Sequence, residues 1–480
     1  MKRKNIVKSV VLGLILASIG NCVCAEEDNT RVFQGDKVFN ETLGGLWGSK
    51  DDVKVVDGSL TINVTDKSFN SSWEDDGTHN VSLNASKNIN INTSLSQSNG
   101  YSASIDVTNV TKNTEIISGG NINITSNNSH VNPSYGIIAT YLNSKANITA
   151  IGNLNIMTTN IGGYNYGLNV NYGIMNVQAN DILIDTESNT MNIAIQAMES
   201  GSIEVDAKGK VDVISKGNNS YGIWSYGNTQ LGSTKVNVNS LDNVSIASGK
   251  TAIFAQNGGT LNIDSNTSNI QSKNGTAIRA DSGSKISLIA AKGMNLIVNE
   301  NGTIGEDFNA VYNSSATVDL NGLKNVVAAG IITHSNTNGF DAWFGNKTAV
   351  FAEKGAKMTL NSTNEGTGVG NMISGTLRAE NENTDVQVKA EKGNNYIYSS
   401  AHGRGYKENI DILSAVFGRD KADILIDGNK NFIATYCGHN GNESQRNERE
   451  RVIWAQGGAN ITINGATTII ASRAEQNIAS

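Results

Sequence analysis

The sequence predicts an all-β protein wound as a right-handed, three-sided parallel β-helix. A five-residue strand recurs at the period of a coil, two shorter alternating strands follow each copy, and proline is almost absent. The clearest copy is Thr251-Ala252-Ile253-Phe254-Ala255. Centred on an aliphatic anchor, eleven copies fall at Ile137, Leu168, Ile195, Ile223, Ile253, Ile278, Val311, Val350, Leu377, Val416 and Ile453. Neighbouring anchors stand 25 to 39 residues apart. At such a period each unit buries its apolar side only against its neighbours, as in a solenoid.

The columns of the repeat show which way each residue points. Alternate side chains of a strand face opposite sides, so the anchor and the residue two positions on share one face. That second position holds Ala139, Val170, Ala197, Ala255, Ala280, Ala352 and Ala379, nearly always something small. The anchor never turns polar, so this face is the core. The position directly after the anchor reads Ile138, Asn169, Gln196, Trp224, Phe254, Arg279, Tyr312, Phe351, Arg378, Phe417 and Trp454. A column that admits Arg, Asn and Gln faces outward, and six of its members are aromatic.

After each anchor come two short strands, such as Thr260-Leu261-Asn262-Ile263 and Ser268-Asn269-Ile270, or Ile203-Glu204-Val205 and Val211-Asp212-Val213. Asn/Ser/Gly turns separate them, which sets three strands in each coil. A coil rises ~4.8 Å, so about twelve of them make a rod of about 60 Å. Pro133 is the one proline in the chain. Lacking an N–H, proline is excluded from strands paired on both sides.

The alternation starts at Val53 and is expected to run to residue 480, with Ser102-Ala103-Ser104-Ile105-Asp106-Val107 as a degenerate early copy. Residues 26–52 read as a leader and N-terminal cap. Loop insertions are expected near 333–346, 399–411 and 436–451. Residues 1–25 read as a cleaved signal peptide: Met1-Lys2-Arg3-Lys4 is basic, Val10 to Ala17 is apolar, and Val23-Cys24-Ala25 closes on small residues. The apolar run is too short to span a bilayer.

Cleavage leaves Cys437 as the sole thiol, so the exported chain is no disulfide scaffold. It also removes Lys2, Arg3, Lys4 and Lys8, moving the formal charge from -7 to -11. So acidic a chain makes nucleic acid and anionic lipid poor partners.

Chemistry is harder to find than architecture. Candidate carboxylates are Asp51-Asp52, Asp75-Asp76, Glu204 with Asp206 and Asp212, Asp423 with Asp427, and Arg419-Asp420. They sit in separate coils or in the N-terminal region, and a solvated surface accounts for them. His79, His130, His334, His402 and His439 are scattered and make no H-E-x-x-H spacing. No G-x-S-x-G elbow with triad partners is visible. Catalytic, cofactor and metal residues are therefore expected to be none. The candidate site is the outward stripe Trp224, Phe254, Arg279, Tyr312, Phe351, Arg378, Phe417 and Trp454. Stacking between coils would explain it as a structural ladder, and exposed rings would make it a surface for sugars or a protein.

Tyr135-Gly136-Ile137, Tyr166-Gly167-Leu168, Tyr221-Gly222-Ile223 and the Ala-Ile-Phe-Ala strand, set among Asn/Gly-rich coils, resemble the passenger region of a Gram-negative autotransporter. The resemblance covers roughly residues 53–480 and implies Sec-dependent export, passage through an outer-membrane translocator and surface display as an adhesin. Its partner would be a glycan or protein of a host or bacterial surface. Such proteins end in a translocating barrel, and Arg473 to Ser480 still reads like coil sequence. The expectation therefore divides between a truncated gene product, a barrel supplied elsewhere and a free exported β-helix, with the periplasm as the alternative location. A β-helical polysaccharide lyase or hydrolase is the rival expectation.

The export reading has a direct check. N-terminal sequencing of chain recovered from a Gram-negative host should begin at Glu26, and a retained Met1 would remove the signal peptide.

Overall fold

The computed structural model describes residues 31–40, 53–65, 81–96, 101–107, 113–140, 142, 144–228, 233–300, 309–330, 332–337, 340–345, 347–400, 414–437 and 451–474. The expected signal peptide, Asp51-Asp52, Asp75-Asp76, His79, His402, His439 and most of the expected loops at 399–411 and 436–451 lie outside them.

Every copy of the five-residue strand falls in one parallel sheet of twelve strands, running from Ser102–Val107 to Ile453–Gln456. The anchors pair in a single register: Ile105, Ile137, Leu168, Ile195, Ile223, Ile253 and Ile278, then Val311, Val350, Leu377, Val416 and Ile453. All but Ile453 are fully buried. This is the anchor face. The residue before most anchors is also buried and small, as at Ser104, Ala194, Ala252, Ala277, Ala310, Ala349 and Ala415. At Gly167 an added Cβ would sit 2.5 Å from both the Ala194 carbonyl oxygen and Ile184 Cγ2, so the strand there can approach its neighbour only as glycine.

The other two strands of each coil stack into a second and a third face. Ile116, Ile148, Val177, Val205, Val238 and Ile263 form one inward column. Ile124, Ile156, Ile184 and Val213 form the other. Together with the anchors they line a continuous apolar core. The architecture is a parallel β-helix.

Three details lie beyond the sequence reading. Among the described residues, parallel pairing starts at Arg31–Gln34 with Val53–Val56, and Lys37–Phe39 pairs with Leu60–Thr65, inside the segment expected to form a cap. Lys285–Asn299, Thr317–Ala329, Asp385–Ser400 and Asp423–Cys437 are each one long strand serving both the second and third faces, with register shifts at Ala290/Met294 and Ala390/Asn394. The insertion expected near 333–346 is an antiparallel hairpin of Ile332–Thr337 and Phe340–Gly345.

The asparagines that crowd the sequence have distinct tasks. At the corner between the second and third faces, Asn88, Asn121, Asn153 and Asp181 each accept a backbone N–H from the next coil, from Asn121, Asn153, Asp181 and Lys210. In the third-face parts of the long strands and in the strand Val369–Ser374, a buried row runs Asn295, Asn325, Asn371, Asn395, Asn431. Each Nδ2 donates to the next Oδ1 at 2.8–2.9 Å. The second proton of each Nδ2 goes to a backbone carbonyl. Buried amides are tolerated only when so paired, and stranding one costs more than the bond contributes.

Asn371→Ala would leave Asn325 Nδ2 and Asn395 Oδ1 each short of a partner. It should cost about 2–3 kcal/mol, against under about 1 kcal/mol for Asn176→Ala in the half-exposed Asn147–Asn176 row. Urea denaturation followed by circular dichroism measures both. Equal losses would contradict the buried row.

Candidate functional site

The stripe predicted on the anchor face is a single physical object. Trp224 stacks on Phe254 with centroids 5.4 Å apart and planes 25° apart. The Arg279 guanidinium lies between Phe254 and Tyr312, at 5.3 and 5.4 Å from their centroids. Tyr312 meets Phe351 at 5.6 Å. Arg378 lies between Phe351 and Phe417, at 4.7 and 5.5 Å. Phe417 meets Trp454 edge-on at 5.4 Å, and Arg451 covers the Trp454 ring at 4.5 Å. From coil to coil the order is ring, ring, arginine, ring, ring, arginine, ring, ring.

Register explains this order. Each residue sits directly above its counterpart, so a column of large planar groups must stack or clash. A flat guanidinium suits a slot between two rings, where a compact ammonium does not. Each such contact stabilises by ~0.5–1 kcal/mol when exposed and about 2 kcal/mol when desolvated.

Outward is not the same as exposed. Phe417 is 0% and Phe254 7% exposed, while Trp224, Tyr312, Phe351 and Trp454 are half-buried. Inside the ladder the ring faces are taken up by neighbours, so what meets solvent is mainly ring edge. Sugar stacking needs a free face, which narrows where it can occur. The widest aromatic cluster is at the N-terminal end of the ladder, where Tyr221 packs on Trp224 at 5.0 Å and on Phe254 at 6.1 Å. Tyr226 meets Trp224 edge-on at 6.5 Å, and Lys250 covers the Tyr221 ring.

Beside the ladder runs a second outward column that the sequence reading missed. Asp281 accepts from Arg279 Nε at 2.9 Å, and Glu380 accepts from Arg378 Nε at 2.8 Å. Glu353 accepts from the Tyr312 hydroxyl at 2.7 Å and is bridged by Lys354 at 2.9 Å. Glu353 and Glu380 are direct register partners. Two carboxylates thus lie on adjacent coils, with a phenol, a lysine and an arginine around them. Burial pushes the Glu353 carboxyl up, but the Lys354 and Tyr312 hydrogen bonds and the Lys354 charge outweigh it and hold it below the usual carboxylate range. Burial, then the bond to Glu353, pushes the Tyr312 phenol up to about 12. The signal was available: both glutamates stand three positions after an anchor, and stacking the anchors places them together.

The other carboxylates stay apart. Glu204 and Asp206 line a shallow polar groove on the second face with Glu115, Asn147, Asn176 and Gln178. Asp212 stands in a third-face strand and pairs with Lys210. Asp423 and Asp427 share one outer edge of the second face, and Asp420 pairs with Arg419. Among the described residues, no group of three His, Cys, Asp or Glu side chains is arranged to hold a metal ion.

No family model, curated protein or solved structure matches this chain.

The ladder makes a measurable claim. A double-mutant cycle of Phe351→Leu and Arg378→Met should return a coupling energy of about 0.5–2 kcal/mol in chemical denaturation. A coupling of zero would mean that the two side chains are merely neighbours.

Proposed function

We propose that this chain is an exported, non-catalytic β-helical rod of the autotransporter-passenger kind, which works by adhesion through its anchor face. The observation that carries the reading is the unbroken ladder of rings and arginines along one wall of the rod. It is a long, rigid, amphipathic strip of ring edges and guanidiniums flanked by carboxylates. Surfaces of that composition, rich in Trp, Tyr and Arg, suit partner recognition. The cluster of Tyr221, Trp224, Tyr226 and Phe254 is where the strip is widest, so contact with a surface glycan or protein is assigned there first. Export through the Sec pathway and display at the outer membrane belong to the same proposal and rest on the N-terminal sequence and the passenger-like repeats.

A second reading, a carbohydrate-active enzyme, draws on one observation. Glu353 and Glu380 are register partners on adjacent coils, and glycosidases act through paired carboxylates. It stands second because each carboxylate is already engaged by its own cation or phenol. Release of reducing ends from polysaccharide, lost on Glu353→Gln and Glu380→Gln, would put it first.

For the adhesion reading, Trp224→Ser with Phe254→Ser should abolish binding of the purified chain to cells or immobilised glycans. The strand circular dichroism should persist at the temperature of the assay. Undiminished binding by the double variant would refute the assignment of the site.

A further inference from the structure

His130 sits in the corner of residues 129–133, which joins a third-face strand, Ile122–Asn128, to an anchor strand, Ser134–Ala139. It is 5% exposed. Its Nδ1 lies 2.9 Å from the Asn132 carbonyl oxygen, and its Nε2 lies 2.9 Å from Ser102 Oγ on the preceding coil. A carbonyl only accepts, so Nδ1 carries the proton and Nε2 accepts from the Ser102 hydroxyl. Ser102 Oγ lies 2.8 Å from Ser134 Oγ and takes a further bond from Asn128 Nδ2 at 3.0 Å. Asn128 Nδ2 also reaches Ser134 Oγ at 2.7 Å and Ser126 Oγ at 2.9 Å, and Asn128 Oδ1 accepts from the Leu95 amide. With His130 neutral, Ser134 donates to Ser102, Ser102 donates to His130, and the row is satisfied.

A second proton on the ring reverses the row. Nε2 becomes a donor to Ser102, and the Ser102 hydroxyl must turn to Ser134. The partners of Ser134 Oγ in the row are then a hydroxyl and an amide that both donate to it, so its own proton loses its acceptor. The imidazolium charge is meanwhile buried with no carboxylate bonded to it. We propose that His130 is an acid-operated latch on the N-terminal coils. Neutral, it ties the 129–133 corner to Ser102, and protonated, it frees that corner and the Ser102–Val107 strand to open.

The titratable groups on the elements packed around it are Tyr101, Asp106, Tyr135, Tyr164 and Tyr166. Asp106 stands in the outward column and accepts from Tyr101 at 2.6 Å. None of the five contributes to the His130 shift: burial pushes the imidazole below the ordinary histidine value, opposed only by the bond to Asn132. A histidine held low in the folded state binds its proton more readily when unfolded. The stability it contributes is therefore complete above the ordinary histidine range and is lost as the pH falls through the folded value.

Hydrogen exchange of the full chain at about pH 7.5 and about pH 5, corrected for intrinsic rates, reads the latch directly. Peptides covering 101–107 and 128–134 should exchange about tenfold faster at the lower pH relative to 251–272, which contains no histidine. His130→Gln keeps an acceptor for Ser102 but cannot charge, and should abolish the acceleration. Acceleration that persists in His130→Gln, or its absence in the wild-type chain, overturns the proposal. Ring resonances of the unsubstituted chain test the same site without a mutation: His130 titrating at or above the ordinary histidine range also overturns it.

Discussion

The chain returns to the same hydrogen-bonded register after every coil, and the remaining features of the molecule depend on that return. With Ile137 over Ile105 and Leu168 over Ile137, each aliphatic side chain lands on its own kind and the core closes by repetition. Coil length is free to vary because the extra residues leave the ladder at corners or as a hairpin, as in Ile332–Thr337 with Phe340–Gly345. Inside, buried amides must form a row, since each has only the coils above and below to satisfy it. Outside, flat groups must stack for the same reason.

Stacking also decides what the anchor face can offer. Phe254 has Trp224 on one side and Arg279 on the other. Arg378 is enclosed by Phe351 and Phe417 while its edge is held by Glu380. Such groups are rigid, and their charges are satisfied within the wall, so little conformational entropy remains to be lost when a partner docks. The carboxylates that look most like a catalytic pair, Glu353 and Glu380, are partners in this same bracing. Structure and recognition compete for the same side chains along the strip.

Much of this was legible in one dimension. An anchor that never turns polar, followed by a small residue and bracketed by outward positions, specifies a strand, its core face and its register at once. The early copy at Ile105 was recognisable for that reason. Burial of Phe254 and Phe417 was not legible, because alternation tells which way a side chain points and not what stands beside it. The long bent strands were missed because asparagine between two alternating strands reads as a turn, whereas Asn395 and Asn431 are amides inside the core. Glu353 and Glu380 escaped notice because a carboxylate in an alternating strand looks solvated until its coil is stacked on the next. His130 likewise looked isolated, its partner Ser102 lying one coil away.

The alternation of two rings and one arginine restricts how a rod of this kind can lengthen or shorten. Removing the coils of Tyr312 and Phe351 together would set the guanidiniums of Arg279 and Arg378 face to face. Adding or losing three coils at once would leave the order of rings and arginines along the wall as before. Seen along the axis, this part of the molecule has a unit cell of three coils, and unequal recombination between repeats would be filtered by that number.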